Sequence, residues 1–391
     1  MKKLDYKDVT IISTQISSID SRNKVLLDGI DVFDIKLTVP MIASPMPDVC
    51  NGKMAAKLSN LGALGIIHRF QSIEDQVFQF EENLYNNESD RFEIPVAVSK
   101  NNIACAIGVT GDYQRRFKAL YRAGCRIFCL DTANGANIQV CEAIKWIRST
   151  EKLCFEETKN NIKTFDRVYI IAGNIATAEG YRYLAELNVD AIRVGIAGGS
   201  VCETRTETGI YIPMISAIQE CAEMRKHLAE NILISKHPDK EKIEKLTIKT
   251  RSEILYIYKN EIYNEIKKLP LIIADGGIKA PQDMNKAIAA GADLVMCGNA
   301  FAGTRETPGP VIDHEGNLYK LYRGAASFSV QIDYTEEEPD YIEGRSTLIP
   351  YKRGGVEKVV KRFLNGLRSS MSYANALTLE EYRNNVSLKE L

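Results

Sequence analysis

The chain has 391 residues, a formal net charge of −1 and 45% hydrophobic residues, an ordinary globular profile with room for one large domain or two ordinary ones. Near-zero charge gives no electrostatic reason to expect nucleic acid or an anionic membrane as partner. The N-terminus lacks the apolar stretch of a signal peptide and no apolar run reaches a membrane span, so a cytoplasmic location is expected.

Short apolar runs alternate with amphipathic segments along the chain. Strands are predicted at Val39 to Ala43, Ala63 to Ile67, Ile103 to Gly108, Arg126 to Leu130, Val168 to Ala172, Ala191 to Val194, Leu271 to Ala274 and Leu294 to Cys297, with a further short run at Ile94 to Val98. Helical periodicity follows at Met54 to Asn60, Asp112 to Ala123, Ile138 to Ser149, Ala178 to Leu187 and Ala280 to Ala290. Apolar strands alternating with helices predict a parallel sheet covered by helices. About eight such units suit an α/β fold of the (β/α)8 TIM barrel type better than a doubly wound sheet. Residues 224–268 are rich in lysine and glutamate and read as a charged helical insertion on the barrel surface. The polar segment 325–355 after the last strand reads as a mobile flap over the rim.

Nine cysteines without a signal segment suit a reducing compartment, and their spacing and the four scattered histidines match no zinc pattern. One of them stands out. Cys202 follows the strand Ala191 to Val194 and the glycine-rich run Gly195-Ile196-Ala197-Gly198-Gly199-Ser200-Val201. Successive N–H groups in such a turn can cradle an anion, and a thiol beside a bound phosphorylated ligand could act as nucleophile. A small buried thiol packed under a turn is the competing reading. The other predicted strands end on Ser44, Asp131, Gly173-Asn174, Asp275-Gly276-Gly277 and Gly298-Asn299. In a barrel these ends share one rim, where active sites are built.

These motifs resemble the IMP dehydrogenase and GMP reductase family over most of the chain. The resemblance is carried by Ala43-Ser44-Pro45-Met46, Gly65-Ile66-Ile67-His68, Asp131-Thr132-Ala133-Asn134-Gly135, Ala172-Gly173-Asn174-Ile175-Ala176-Thr177, the loop from Gly198 to Arg205, Ala274-Asp275-Gly276-Gly277-Ile278, Tyr322-Arg323-Gly324 and Glu343-Gly344. It implies a (β/α)8 barrel, a homotetramer, a purine nucleoside monophosphate as substrate and a nicotinamide dinucleotide as cofactor. It implies that Cys202 attacks carbon 2 of the purine and that Thr204 assists proton transfer. Ser200, Gly276, Gly277, Gly298, Asn299, Tyr322 and Gly324 fall at substrate positions, most of them around the phosphate. Asp275 falls at the ribose hydroxyls, Ser44 and Met46 at the base, and Glu343 at the purine amide edge. Asp131, Asn174 and Arg193 fall where the nicotinamide lies. Carbonyls of Ala197, Gly199 and Cys202 correspond to a potassium site of some members, with Ala197 replacing the family glycine.

The resemblance leaves two directions open: NADPH-dependent reduction of GMP to IMP and ammonia, or NAD-dependent oxidation of IMP to XMP. The short stretch from Gly324 to Glu343, which contains no Arg-Tyr pair, and the run Thr208-Gly209-Ile210-Tyr211-Ile212-Pro213 favour the reductase. Against it, Phe328 stands where reductases are expected to carry a proton-transferring glutamate, and a phenyl ring moves no protons. Glu203, Glu207 or an acid of Glu336-Glu337-Glu338 are the candidate substitutes. A nucleotide-binding sensor without turnover is the third reading.

Overall fold

The computed structural model describes residues 2–27, 29–84, 102–158, 167–236, 259–335 and 338–391. An N-terminal strand β1 (Val9–Ser13) and a hairpin of β2 (Ile30–Val32) and β3 (Ile35–Leu37) precede eight parallel strands. These are β4 (Met41–Ala43), β5 (Leu64–Ile67), β6 (Ile103–Ile107), β7 (Ile127–Leu130), β8 (Tyr169–Ile175), β9 (Ala191–Val194), β10 (Leu271–Asp275) and β11 (Leu294–Cys297). They pair in sequence order and β11 closes on β4, making the expected (β/α)8 barrel.

Apart from Asn174, Arg193 and Asp275, the strands carry apolar residues and glycine because both of their faces are buried. Ile42, Ile66, Ala106, Cys129, Ile171, Ile273 and Met296 pack together inside the barrel. Their neighbours Ala43, Ile67, Ile107, Leu130, Ala172, Ala274 and Cys297 belong to the second cluster, shared with the helices. Val32, Phe33, Ile35 and Leu37 of the hairpin join the inner cluster and plug one end, with the Phe33 ring 5.6 Å from Tyr169. The other end holds an arginine: by the same alternation Arg193 of β9 faces inward, and it is buried.

The connecting helices are α1 (Gly52–Asn60), α2 (Ile73–Leu84), α3 (Tyr113–Arg122), α4 (Ile138–Thr158), α5 (Ala178–Glu186), the single turn α6 (Thr204–Thr208), α7 (Met214–Lys236), α8 (Lys259–Ile266) and α9 (Pro281–Ala289). Their starts follow capping chemistry. Asn51 accepts from Met54 N–H and Thr177 from Gly180 N–H, while Pro281 opens α9. Most expected boundaries hold to within two residues; two move further. The helix expected to stop at Ser149 runs on to Thr158, and the strand expected to stop at Ala172 continues to Ile175.

The charged insertion was expected to begin at Met224. That residue lies inside α7, whose buried Arg225 pairs with Asp293, so the helix is part of the barrel wall. Residues 237–258, and the apolar run Ile94 to Val98, lie outside the described residues. The far side of the excursion, α8, packs Ile262 on Ala229 and Ile234 of α7, and Glu265 pairs with Lys236.

After the barrel come β12 (Ile312–His314), β13 (Asn317–Arg323), α10 (Phe328–Thr335) and β14 (Ser346–Pro350), the three strands forming an antiparallel sheet. The segment expected as a flap thus contains a helix and a strand. Helices α11 (Gly355–Tyr373) and α12 (Leu379–Asn385) lead to β15 (Val386–Glu390), which pairs antiparallel with β1. No helix of the described residues is long and apolar enough to cross a membrane.

Candidate active site

A cleft of about 590 Å³ opens at the rim where the barrel strands end. All the residues to which the family resemblance gave a substrate, cofactor, cation or catalytic position line it: Ser44 and Met46 after β4, Asp131 after β7, Asn174 on β8, Arg193 on β9, Ala197, Gly199, Ser200, Cys202 and Thr204 on the following loop and α6, Asp275, Gly276 and Gly277 at the end of β10, Gly298 and Asn299 after β11, Tyr322 and Gly324 at the end of β13, and Glu343 before β14. The sequence missed Arg69, Phe70, Gln331 and Tyr334, which also line it. Arg69 and Phe70 directly follow the His68 motif, but an Arg-Phe pair carries no recognisable spacing.

The glycines explain how the loop reaches the cleft. Gly195 has φ +141°, and a Cβ there would lie 2.2 Å from the Asp275 carbonyl. Only glycine lets β9 pass so close to β10. Ala197 holds φ +59°, a left-handed conformation that costs an alanine about 1 kcal/mol.

Cys202 is partly exposed. Its thiol donates to Thr204 Oγ1 at 3.2 Å, and Thr204 Oγ1 donates to Glu343 Oε2 at 2.6 Å. Main-chain contacts fix this line. Glu203 N–H donates to the Glu343 carbonyl at 2.8 Å, Arg345 N–H to the Val201 carbonyl at 3.0 Å, and Glu343 N–H to the Ala326 carbonyl at 3.2 Å. Gly344 bridges Cys202 on one side and Ser327 on the other, and a Cβ on it would meet Ser327 N at 2.8 Å.

The expected proton-transfer substitutes lie elsewhere. Glu203 pairs with Arg345, Glu207 and Glu338 are exposed, and Glu336 and Glu337 lie outside the described residues. Phe328 opens α10 half-exposed and is not part of the cleft lining. The carboxylate on Thr204 is Glu343, which the sequence assigned only to the base.

A second network crosses the floor of the cleft. Arg193 donates through Nε to Asp275 Oδ2 at 3.0 Å and through one terminal nitrogen to Asp131 Oδ1 at 3.1 Å. Burial opposes its charge, but Asp275, Cys129 and Asp131 outweigh that and raise its pKa. Arg69 Nε donates to Asp131 Oδ2 at 3.3 Å. Asn174 sits where β8 shifts register against β9; its Nδ2 donates to Asp275 Oδ2 at 2.8 Å and to the Gly195 carbonyl at 2.7 Å. Its Oδ1 is buried without a partner among the described residues. Asp275 Oδ1 takes no protein donor among the described residues.

At the opposite wall, a Cβ on Gly298 would lie 2.7 Å from Tyr322 Oη, 3.3 Å from Met46 Sδ and 3.5 Å from Ser44 Oγ, so these side chains converge there. Burial raises the Tyr322 phenol well above its usual pKa, while a hydrogen bond with Ser200 pulls the other way. The phenol is therefore a neutral hydrogen-bonding group.

Comparison with known proteins identifies the ensemble. The family model for the IMP dehydrogenase / GMP reductase domain matches residues 3–235 and 253–391. The inosine-5'-monophosphate dehydrogenase of Bacillus subtilis (strain 168) is 36% identical over 72% of this chain and 48% of its own length. The chain thus spans about half the length of several curated relatives that it matches. The GMP reductase of Caenorhabditis elegans is 29% identical over 97% of this chain and 89% of its own length. The inosine-5'-monophosphate dehydrogenase of Cryptosporidium parvum is likewise 29% identical, over 97% and 90%. With a family model matching nearly the whole chain and a barrel carrying the motifs on one rim, the protein belongs to the IMP dehydrogenase / GMP reductase family of purine nucleotide oxidoreductases.

Proposed function

We propose that the protein is a GMP reductase, converting GMP to IMP and ammonia with NADPH through a covalent adduct on Cys202. The observation that carries this reading is the line Cys202–Thr204–Glu343, together with a stretch from Gly324 to Glu343 that contains no arginine. A deaminating reduction needs a proton for the departing amino group. A hydrolytic step needs a group to activate water, and the arginines in the cleft lining, Arg69 and Arg193, are both paired with aspartates.

In this reading the 5'-phosphate lies against Ser200, Gly276, Gly277, Gly298, Asn299 and Tyr322, near Gly324. The ribose reaches Asp275, and the base lies between Cys202 and Ser44–Met46. The thiol passes its proton to Thr204 as Thr204 passes its own to Glu343. Cys202 sulfur bonds to C2, and the electron pair of the C2–N3 double bond moves to N3. Protonated Glu343 delivers that proton to the 2-amino group; the N3 pair restores the double bond and ammonia leaves. The cofactor site fits the residues present: the unpaired, buried Asn174 Oδ1 suits the amide of a nicotinamide, beside Asp131 and Arg193. When bound, the reduced cofactor supplies a hydride to C2. The pair displaced to N3 returns, the C2–S bond breaks, and a solvent proton restores the thiol through Glu343 and Thr204.

The potassium site fits less well. The Gly199 carbonyl already accepts the Cys202 N–H at 3.3 Å, and no step here uses a cation. A cytoplasmic homotetramer is proposed on family likeness. The dehydrogenase reading, IMP to XMP with NAD, is favoured by the names of several relatives. The test is to follow cofactor absorbance with GMP plus NADPH and with IMP plus NAD. Oxidation of NADPH with ammonia release supports the reductase; NADH formation supports the dehydrogenase; binding with neither supports the sensor.

A further inference from the structure

Behind the turn that follows β11 stands a lysine with no part in the steps above. Lys352 lies just past β14, half-buried, and is not part of the cleft lining. Its Nζ donates to the Asn299 carbonyl at 3.0 Å and the Ala300 carbonyl at 2.8 Å. Its own N–H donates to the Gly303 carbonyl at 2.6 Å, so main chain and side chain bracket the turn together. The turn's internal bonds run from Phe301 and Ala302 N–H to the Gly298 carbonyl, and among the described residues no backbone donor reaches the carbonyls of Asn299 and Ala300.

A trans peptide is planar, so a carbonyl held on Lys352 turns the N–H of the same plane the opposite way. For the Asn299 carbonyl that is the N–H of Ala300, which has no protein acceptor among the described residues. On the other side of the turn, Gly298 and Asn299 line the cleft. The neighbouring groups Ser200, Gly276, Gly277 and Tyr322 are neutral and Asp275 is acidic. Lys279 also lines the cleft, and Arg345 donates from a terminal nitrogen to the Ser200 carbonyl at 2.9 Å.

We propose that Lys352 is a positioning residue for the nucleotide 5'-phosphate: it holds the Gly298–Ala300 peptides with their donors toward the phosphate and places a positive charge behind them. This rests on the reading of the cleft as a purine monophosphate site. Burial lowers the Lys352 pKa to about 8, aided by Arg362 on α11 and opposed by the Cys297 thiol of β11. A bound dianion holds the proton on, so affinity falls as pH rises through that value.

The experiment measures calorimetric binding of GMP and of guanosine, which lacks the phosphate, to the full chain, K352M and K352R at pH 7 and 9.5. K352M is expected to weaken GMP about 10- to 100-fold at pH 7 and to leave guanosine within about twofold. The wild type's preference for GMP over guanosine is expected to fall about tenfold between the two pH values, and that of K352R to persist because its charge does, the guanine N1–H titrating alike in both ligands. Equal weakening of GMP and guanosine by K352M, or unchanged GMP affinity, overturns the proposal. Should K352M not fold, K352R decides alone, and a GMP-over-guanosine preference that falls with pH like the wild type's overturns it. A wild type that binds guanosine but gains nothing from the phosphate overturns this assignment alone; one that binds neither ligand overturns the nucleotide reading and this assignment with it.

Discussion

Thr204 Oγ1 donates to Glu343 Oε2 at 2.6 Å, joining the residue two past the candidate nucleophile to one 139 positions away. The contact is short, carboxylate-assisted and held by main-chain bonds on both sides. In the proposed mechanism it makes Glu343 the proton acceptor within reach of the thiol, a role that Phe328 cannot fill.

Glu343→Gln keeps the acceptor oxygen and removes the proton-carrying group. Turnover of GMP is expected to fall about 10²- to 10⁴-fold, with GMP affinity within about fivefold of the wild type. Steady-state rates and calorimetry check this, and a kcat within about threefold of the wild type contradicts the relay.

Arg193→Leu leaves Asp131 and Asp275 facing each other across the barrel mouth without the buried guanidinium that pairs them. The variant is expected to lose about 3–5 kcal/mol of unfolding free energy. Urea denaturation measures it. A loss under about 1 kcal/mol would mean that water or rearrangement replaces the arginine at little cost.

His68 gives a pH signature. Burial lowers its pKa from 6.5 to about 4; Arg116 and Arg323 push the same way, and Asp131 opposes them. The unfolded chain therefore takes up this proton near pH 6.5 and the folded chain only near 4. The stability contribution is present above 6.5 and is lost as pH falls toward 4, by at most about 1.4 kcal/mol per pH unit. Unfolding curves at several pH values should show a steeper acid loss for the wild type than for His68→Gln. Parallel profiles would exclude this residue as the source.

Arg323 links the segment over the cleft to the barrel unequally. It holds buried Asp48 through Nε at 2.8 Å and a terminal nitrogen at 2.9 Å, and reaches exposed Asp333 of α10 at 2.6 Å. Asp48→Ala is expected to cost about 2–3 kcal/mol, Asp333→Ala under about 1. Thermal denaturation of the pair checks the ranking, and a larger loss for Asp333→Ala contradicts it.

The barrel was legible because each barrel strand lies in a largely apolar run of four to six residues, buried on both faces, a pattern the sequence displays locally. The β2–β3 hairpin was not. Its three-residue strands are too short to show a period, and their role as a plug depends on the barrel closing above them. The β1–β15 pair joins opposite ends of the chain and leaves no local trace. Around the cleft, glycine turns and strand-end aspartates were readable because their backbone chemistry is tied to residue type. Phe70 and Tyr334, whose rings meet at 5.7 Å across the cleft wall, come from distant segments without a motif. The Glu343–Thr204 contact was hidden for the same reason.

The central claim is that the Cys202 sulfur bonds to purine C2. The most direct measurement is peptide-mapping mass spectrometry after incubating the protein with IMP and oxidised dinucleotide and quenching in acid. A nucleotide adduct is expected on the peptide containing Cys202, and none in Cys202→Ala, which still binds IMP. An adduct on another cysteine, or turnover by the alanine variant, would contradict it.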